Sequence, residues 1–345
     1  MAITGINYAE QYLTTLLQSF PYVLYFGELF ATPANGRYQF TGPSTIQIPN
    51  INVNGRKDGN MDSLTTKGRN FGLTYKTLEL TRHRTWDTLL HPEYVNRTNG
   101  MATIANATQV MNQEEKFPEM SAYLVSKLFA DYVEAGKNVV TTTLTVNNIL
   151  SVFDDMMVSM DDARVPRAGR ILYTTPGVGK LLKEAADLQR SFAVQTGNQS
   201  VQRQIANLDN VKIVDYIPTD IMKTAYDFSA GWAVGATARQ INMMLVHPDA
   251  VITPIKYTFA GLDEPSAAHQ GKYYYFEESF EDVFLLPLKE GGIVFHADAD
   301  TATYTAVSNP SGNPKTLGYY VLSGNTYILT EDEAVVAGTT YYTKS

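Results

Sequence analysis

Residues 118–136 read PEMSAYLVSKLFADYVEAG, and this stretch decides the fold. Apolar residues recur at every third or fourth position along it, a spacing typical of an amphipathic helix. The apolar face consists of Leu124, Val125, Leu128, Phe129, Tyr132 and Val133, and the polar side of Ser126, Lys127, Asp131 and Glu134. Pro118 suits a first helical turn, where its missing N–H costs nothing. Gly136 suits the left-handed position just past a helix end. The stretch predicts a long helix lying on a core.

The residue types in this helix also resemble a known family. Pro-Glu-x-x-Ala-Tyr-x-x-Ser-Lys-Leu, from Pro118 to Leu128, resembles the spine helix of tailed-bacteriophage major capsid proteins with the Hong Kong-type fold. Further stretches are similar to the same family in the same order: TYKTLELT (74–81), ATQVM (107–111), VPRAGRILY (165–173), LVHPDAV (245–251) and FLLPLKEGGI (284–293). The resemblance spans residues 3–297.

The resemblance implies an α+β protein with the Hong Kong-type phage major capsid fold. The expected parts are an N-terminal arm (1–37), an extended loop (38–82), a peripheral domain (83–138 and 263–297) with its spine helix (118–136), and an axial domain (139–262). A small C-terminal β module (298–345) lies outside the resemblance.

This family builds icosahedral phage heads, so the resemblance implies a structural, non-enzymatic protein of the virion, assembled in the host cytoplasm. Its expected partners are many copies of itself in hexamers and pentamers, a portal, and a separate scaffolding protein. DNA would be enclosed without sequence-specific binding, and no membrane partner, catalytic residue, cofactor or metal is expected. An encapsulin-type nanocompartment shell, which shares the fold, is one alternative. An α/β nucleotide-binding enzyme is a second.

Composition narrows the possible classes. The chain has 345 residues, 44% hydrophobic and 18% charged, which is typical of an ordered globular protein. A net charge of −8 without a dense Lys or Arg run argues against sequence-reading DNA binding, which needs clustered positive charge. The absence of cysteine excludes disulfides, thiol nucleophiles and Cys-ligated metals. No secretory signal pattern is present, and the apolar runs fall short of the ~20 residues of a membrane span.

The first eighty residues predict an arm and a hairpin. A short helical segment is indicated before Pro21. The apolar run 22–30, YVLYFGELF, taken alone could be a core strand; by resemblance it belongs to an arm lying on neighbouring subunits. Residues 38–82 alternate apolar and polar positions, with a break at Pro49, on both sides of a polar, glycine-rich tip, which indicates a long hairpin. A tip of this length has nothing local to pack on, and by resemblance it reaches over an adjacent subunit.

After the spine helix the pattern predicts a mixed α+β domain. Asn147 or Asn148 can cap a helix. The apolar stripe of that helix consists of Ile149, Phe153, Met156, Met157 and Met160. Strands are predicted at 165–175, 210–218 and 241–248, and another helix opens at Thr175 or Pro176. Two further strands flank a turn at Gly291-Gly292, and by resemblance they pack beside the spine helix.

The composition shifts near Ala297. Residues 298–345 contain six Tyr but no Phe, Trp or Met, and their patterns predict hairpin turns at Ser323-Gly324-Asn325 and Ala337-Gly338. So small a unit has little core of its own, so it should lean on the main body or on a neighbour. We expect a module on the outer shell face, dispensable for closure, whose Tyr residues suit contact with glycans or other surfaces. A plug between capsomers is the alternative.

Sites for chemistry are few. Residues 174–180, TTPGVGK, invite a phosphate-loop interpretation, but the motif needs Gly where Thr174 stands and Ser or Thr where Leu181 stands. A strand-to-helix turn is favoured. The five histidines, His83, His91, His247, His269 and His296, show no metal-ligand spacing and are expected at the surface or at caps. Asp154-Asp155 and Asp161-Asp162 are expected on a solvated helix face.

One covalent reaction is implied by resemblance alone. Some relatives cross-link an extended-loop Lys to an Asn of a neighbouring subunit, helped by a Glu. Lys57 and Lys67 lie in this loop. They are more simply interpreted as solubilising or ion-pairing residues on a polar tip, and no acceptor Asn is identified.

Overall fold

The computed structural model describes residues 21–344, apart from residues 37, 39, 43, 57–69, 99–102, 186–206, 301–303 and 309. The helices are α1 (Gly27–Phe30), α2 (Pro92–Arg97), α3 (Ile104–Met111), α4 (Phe117–Glu134), α5 (Ile149–Asp162) and α6 (Pro176–Glu184). The first strands are β1 (Thr45–Val53), β2 (Phe71–Glu79), β3 (His83–Leu90), β4 (Ile171–Thr174), β5 (Asn207–Leu208), β6 (Val211–Val214), β7 (Tyr226–Asp227), β8 (Ala233–Val234) and β9 (Ile241–Val246). The later strands are β10 (Val251–Ile252), β11 (Ile255–Asp263), β12 (Tyr273–Glu281), β13 (Phe284–Leu285), β14 (Ile293–Ala297), β15 (Tyr304–Ala306), β16 (Tyr320–Ser323), β17 (Thr326–Leu329) and β18 (Tyr341–Lys344). The predicted α+β class is confirmed.

The spine helix begins earlier than its sequence pattern indicated. α3, a π-helical turn at Asn112–Lys116 and α4 form one unbroken helical stretch. Pro118 has no N–H to continue an α-helical ladder; in the wider turn before it, the N–H of Phe117 bonds to the carbonyl of Asn112. The stretch begins instead at Thr103, whose hydroxyl accepts a hydrogen bond from the N–H of Asn106 at 3.2 Å. Pro118 thus lies in the first turn of α4, as predicted, but a π-helical turn and α3 precede α4 without a break.

The predicted apolar face and the predicted end of the spine helix are confirmed. All six apolar residues are buried, and Gly136 has a φ of +72°, two residues past Glu134. The polar side is less solvated than expected. Asp131 pairs with Lys127 at 2.8 Å and accepts a hydrogen bond from the N–H of Leu285 at 3.1 Å. Burial raises the pKa of Asp131, and its carboxylate ties β13 to the helix.

A five-stranded sheet, in the order β14-β9-β4-β6-β5, is covered on both faces. Because side chains alternate along a strand, Tyr173, Met244 and Phe295 pack with α4 on one face. Leu172, Met243 and Val294 pack with α5 and α6 on the other. The predicted apolar stripe of α5 lies entirely in this second layer. The sheet therefore separates two helical layers.

Two local predictions around α5 need correction. Asn148 occupies the cap position of α5, but its amide does not cap the helix; it bonds to the N–H of Thr145 at 2.7 Å and the carbonyl of Thr143 at 2.8 Å. The strand predicted at 165–175 is only Ile171–Thr174. Arg164 and Gly169 have φ of +60° and +86°, so the preceding residues form turns.

The predicted hairpin at 38–82 is confirmed in its described part. β1 and β2 pair antiparallel, from Thr45 opposite Glu79 to Val53 opposite Phe71. The tip, with Lys57 and Lys67, lies outside the described residues. Next to the hairpin, β11, β12 and β3 form a second, three-stranded antiparallel sheet.

The sheets do not follow the predicted domain boundaries. β11 lies almost wholly within the predicted axial part, 139–262, yet pairs with β12 of the predicted peripheral part. β14, in the predicted peripheral part, pairs with β9 of the axial part. Hydrogen bonds within two sheets therefore join the two predicted parts, and the boundary between these parts stays a prediction.

The apolar run 22–30 is not a strand. It contains the short helix α1, and Phe26 and Leu29 are fully buried against the α4 layer of the same chain. This end of the predicted arm is thus anchored on its own subunit. The helical segment predicted before Pro21 lies outside the described residues.

The C-terminal segment forms the predicted β module, a four-stranded antiparallel sheet in the order β15-β18-β16-β17. Its hairpin turn contacts the end of the spine helix. The hydroxyl of Ser323 donates to the carbonyl of Val133. The amide of Asn325 accepts from the N–H of Val139 at 2.7 Å and donates to its carbonyl at 2.6 Å. The module therefore leans on the main body, as predicted.

Candidate functional site

The β1–β2 hairpin is apolar on opposite faces at its two ends. At its base, Ile46 is fully buried and packs with Leu80, Ile252 and Phe284 of its own chain. The pairing of Ile51 with Leu73 and of Val53 with Phe71 places the distal apolar residues on the other face. The apolar face thus switches sides along one ribbon.

The distal apolar face is exposed. The exposed fractions are 63% for Ile51, 74% for Val53, 54% for Phe71, 47% for Leu73 and 59% for Tyr75. A two-stranded hairpin is marginally stable by itself in water, and contiguous exposed apolar residues mark interaction sites. This ribbon therefore has the properties of a contact element for another surface.

A buried carboxylate fixes the direction in which the hairpin leaves the body. Asp282, at the end of β12, accepts a hydrogen bond from the N–H of Thr81 at 2.9 Å. Its other oxygen accepts one from the Tyr123 hydroxyl of the spine helix at 2.6 Å. Burial, together with this bond, raises the pKa of the Tyr123 phenol. Hairpin, sheet and helix thus meet at Asp282.

Two arginines complete this joint. Arg82 is buried, stacks 3.9 Å from the ring centroid of Tyr123 and pairs with Glu119 of α4. Arg84 of β3 pairs with the same carboxylate at 2.7 Å and donates to the carbonyl of Phe228 at 2.9 Å. Charge-assisted bonds of this kind hold geometry firmly. They clamp the strand that follows the hairpin onto the spine helix.

A groove of about 640 Å³ opens between the start of the spine helix and one face of the three-stranded sheet. Its helix side includes Glu115, Lys116 and Glu119. Its sheet side includes Arg84, Trp86, Thr258, Ala260, Glu277, Ser279 and Glu281. Lys116 pairs with Glu277 across it at 2.8 Å. The groove therefore combines ion-paired charged side chains with apolar surface.

The expectation that the histidines lie at the surface or at caps holds except at one position. His91 and His247 cap short helices through Nδ1, accepting from the N–H of Glu93 and of Asp249, each at 3.2 Å. His83 pairs with Glu278 and His269 with Asp263. His296, however, is buried in β14, with Nε2 2.7 Å from the carbonyl oxygen of Thr142. Burial lowers its pKa.

The remaining candidate residues have structural roles. Residues 174–180 form the predicted strand-to-helix turn between β4 and α6. The side chain of Asp215 packs closely against Gly179: a Cβ at Gly179 would lie 2.8 Å from the Cβ of Asp215. A carboxylate therefore lies beside this turn. Asp154, Asp155 and Asp162 are exposed as expected, but Asp161 pairs with Arg167 at 2.5 Å and buried Arg170 at 2.6 Å.

Among the residues that the structure describes, no group of three or more His, Asp or Glu side chains could hold a metal ion. In the same part of the chain, no helix combines the length and apolarity needed to cross a bilayer.

Comparison with known proteins identifies the fold. The sequence matches no protein-family model and no curated protein. Solved structures do match. A structure from Mycobacterium phage Che8 has a TM-score of 0.60 at 13% identity, covering 84% of this chain and 96% of that one. The capsid structure of Cyanophage P-SCSP1u has a TM-score of 0.58 at 10% identity, covering 85% and 93%. The mature capsid of bacteriophage PhiM1 has a TM-score of 0.54 at 10% identity, covering 85% and 92%. The chain has the fold of these phage capsid proteins.

Proposed function

We propose that this chain is a major capsid protein, many copies of which close into the icosahedral head of a tailed phage around its DNA. The observation that carries the proposal is the β1–β2 hairpin, whose distal apolar face is exposed while its base is locked into the subunit. Such a face needs a partner, and another copy of the chain supplies one in a shell. The capsid fold of the chain supports this choice of partner.

In this proposal each part of the chain has a place in the shell. Residues 38–82 are the extended loop that clasps a neighbour, and residues 1–37 the arm. Residues 83–138 and 263–292, joined by 255–262, form the peripheral domain. Residues 139–254 and 293–297 form the axial domain, where copies meet in hexamers and pentamers. Many modest contacts add up in a closed shell.

Further partners follow from the same proposal. A portal and a separate scaffolding protein would take part in assembly in the host cytoplasm, and the finished protein would reside in the virion. DNA would be enclosed without sequence-specific contacts, because the net charge of −8 opposes phosphate binding. The chain would have no enzymatic role. No observation favours a protein-cargo nanocompartment, and the acidic Asp215 beside the 174–180 turn disfavours a nucleotide-binding enzyme.

Expression followed by negative-stain microscopy and light scattering tests the proposal. The full chain should give closed particles of uniform size. Deleting residues 54–68 joins β1 to β2 through Arg69-Asn70, a two-residue loop that hairpins accept. The deletion variant should stay folded, with an unchanged melting temperature, and form no closed particles. Closed particles of normal size from this variant would refute the assigned role of the hairpin.

Two matched double variants distinguish the contribution of the exposed apolar face from that of the hairpin as a whole. Ile51→Thr with Leu73→Thr makes the distal apolar face polar and keeps β propensity. Asn50→Ser with Thr74→Ser changes the opposite face at the same distance from the base. The first pair should abolish closure and the second should leave it intact.

A further inference from the structure

Two asparagines in the described part of the chain are followed by glycine, and their surroundings differ. They are Asn35, before Gly36, and Asn54, before Gly55; a third such pair, at 99–100, lies outside the described residues. Asparagine is thermolabile, because the backbone nitrogen of the next residue can attack its side-chain amide carbon. A glycine in that next position removes the Cβ that hinders the approach and leaves the backbone free to adopt the required angles. The surroundings of each amide therefore decide whether it reacts.

The amide of Asn35 is fixed by hydrogen bonds on both of its polar atoms. Its Nδ2 donates to the carbonyl of Phe30 at 2.9 Å and to Oγ1 of Thr253 at 2.8 Å. Its Oδ1 accepts from the N–H of Thr253 at 2.8 Å. Because Thr253 is buried, these contacts last as long as the subunit is folded. An amide held in this way cannot turn toward the nitrogen of Gly36, so this pair is protected.

The amide of Asn54 has none of these restraints. The residue follows β1, and its backbone N–H donates to the carbonyl of Asn70 at 2.9 Å, which continues the ladder by one step. Asn54 and Gly55 are both exposed. Among the described residues, no group bonds to the side-chain amide of Asn54 or to the N–H of Gly55. The attacking nitrogen and its target are thus both unoccupied, at the point where the paired strands end.

We propose that Asn54 is a modification site, at which loss of ammonia limits how long a free subunit stays competent to assemble. The nitrogen of Gly55 attacks Cγ of Asn54. The new N–Cγ bond closes a ring while the Cγ–Nδ2 bond breaks, and Nδ2 leaves as ammonia with the proton of the Gly55 nitrogen. Water then opens the ring at either carbonyl, giving an aspartyl or an isoaspartyl residue. Water is the only co-reactant.

Both products change the hairpin where it enters its tip. Each replaces a neutral amide by a carboxylate, and the isoaspartyl product also adds one carbon atom to the main chain between Asn54 and Gly55. The part of the proposal that concerns assembly rests on the proposed function, in which the hairpin clasps a neighbour. A hairpin held in a shell opens less often than a free one. The reaction should therefore be slower in particles, and it should discriminate against subunits that remain unassembled.

Peptide mass spectrometry tests the site. Cleavage at Arg37 and Arg56 places Asn35 and Asn54 in separate peptides, so each conversion can be followed alone. In folded subunits kept at mildly alkaline pH, Asn54 should be converted many times faster than Asn35. In the urea-unfolded chain the two rates should converge, because the hydrogen bonds to Asn35 are lost. Similar rates in the folded chain, or an unconverted Asn54, would overturn the assignment.

Gly55→Ala is the matched control. A Cβ at Gly55 would meet no atom within 4 Å, so the variant should keep the melting temperature of the wild type and lose only the ease of attack. Conversion of Asn54 in this variant should be severalfold slower. An undiminished rate would overturn attack by the Gly55 nitrogen.

Ageing links the site to assembly. Wild-type subunits incubated until Asn54 is converted should assemble less than fresh subunits, whereas Gly55→Ala subunits aged for the same time should assemble like fresh subunits of that variant. Full assembly of converted wild-type subunits would overturn the timing role. Failure of fresh wild type to assemble would overturn the proposed function, and the conversion measured by mass would still decide whether Asn54 is the modification site.

Discussion

The chain has two β appendages that differ in whether their apolar surface is covered by the rest of the subunit. The β1–β2 hairpin hides its base in the subunit and exposes its distal apolar face. The C-terminal module directs one face of its sheet inward, where Ile328 packs on the α4 layer and Ser323 and Asn325 bond to the end of the spine helix. On its other face, Tyr304 stacks on Tyr327 at 4.0 Å.

This difference separates assembly from folding. The inward face of the module is covered by its own chain, so loss of the module should lower the stability of the isolated subunit. The apolar face of the distal hairpin can be covered only by another surface, so changes to this face should impair assembly and leave subunit stability unaltered. Removing residues 298–345 would uncover the end of the spine helix, so a subunit-stability measurement on the truncated chain must accompany any test of whether the module is dispensable for closure.

Truncation after Ala297 should have the largest effect. It removes the Ile328 contact and leaves Val133 and Val139 without the groups that Ser323 and Asn325 supply. Lost burial and unmet backbone groups together should cost about 3–5 kcal/mol. Chemical denaturation of the truncated chain measures this. A truncated subunit as stable as the full chain would show that the module is merely appended.

Two isoleucines on the same strand test the hairpin. Ile46→Ala should cost about 2–4 kcal/mol of subunit stability, because Ile46 is fully buried. Ile51→Ala should change the free energy of unfolding by less than about 0.5 kcal/mol, because Ile51 is exposed in the subunit. Urea denaturation of both variants provides the comparison. Equal costs would mean that the two ends of the ribbon share one environment.

Asn325→Ala isolates the contact that anchors the module. Its amide pairs with both backbone groups of Val139, and leaving them unmet should cost about 1–3 kcal/mol. Leu329→Ala, at a half-exposed position of the same module, should cost little and serves as the control. Thermal unfolding distinguishes them; a tolerated Asn325→Ala would place the anchor elsewhere.

Acidification should produce the smallest effect, on the module side of the molecule. Burial lowers the pKa of His296, so the unfolded chain binds its proton more readily than the folded chain. The stability from neutral His296 is present above about pH 6.5 and is lost as the pH falls below that value. His296→Gln can still donate to the carbonyl of Thr142 and should flatten the fall in melting temperature below about pH 6.5. An unchanged slope would assign the effect to other groups.

The sequence predicted the fold best in elements whose hydrophobic periodicity continues over many residues. The buried face of α4, the stripe of α5 and the β1–β2 hairpin follow from spacing alone, because each element buries one regular face. Local turns were harder. The π-helical turn before Pro118 and the left-handed Arg164 leave no periodic signal, so the helical stretch that precedes α4 was not predicted and the strand at 165–175 was predicted too long.

The candidate site was less accessible to sequence reasoning. The apolar alternation of the hairpin, with its break at Pro49, predicted strands. It did not predict that the face of Ile46 is buried and that of Ile51 exposed, because this depends on tertiary packing. The groove depends on residues distant in sequence, such as Glu119 and Arg84, so only tertiary structure unites them. Arg82, which lies between Thr81 and His83 next to the hairpin, is the residue from which an ion pair at the base of the hairpin could have been predicted.

Hydrogen exchange of backbone amides, measured on unassembled subunits and on assembled particles, tests the central claim most directly. Amides of β1 and β2 beyond Ile48 should exchange rapidly in the subunit and become protected in the particle. Amides of β16 and β17 should be protected alike in both. A distal hairpin protected already in the subunit, or one that gains no protection on assembly, would contradict the account.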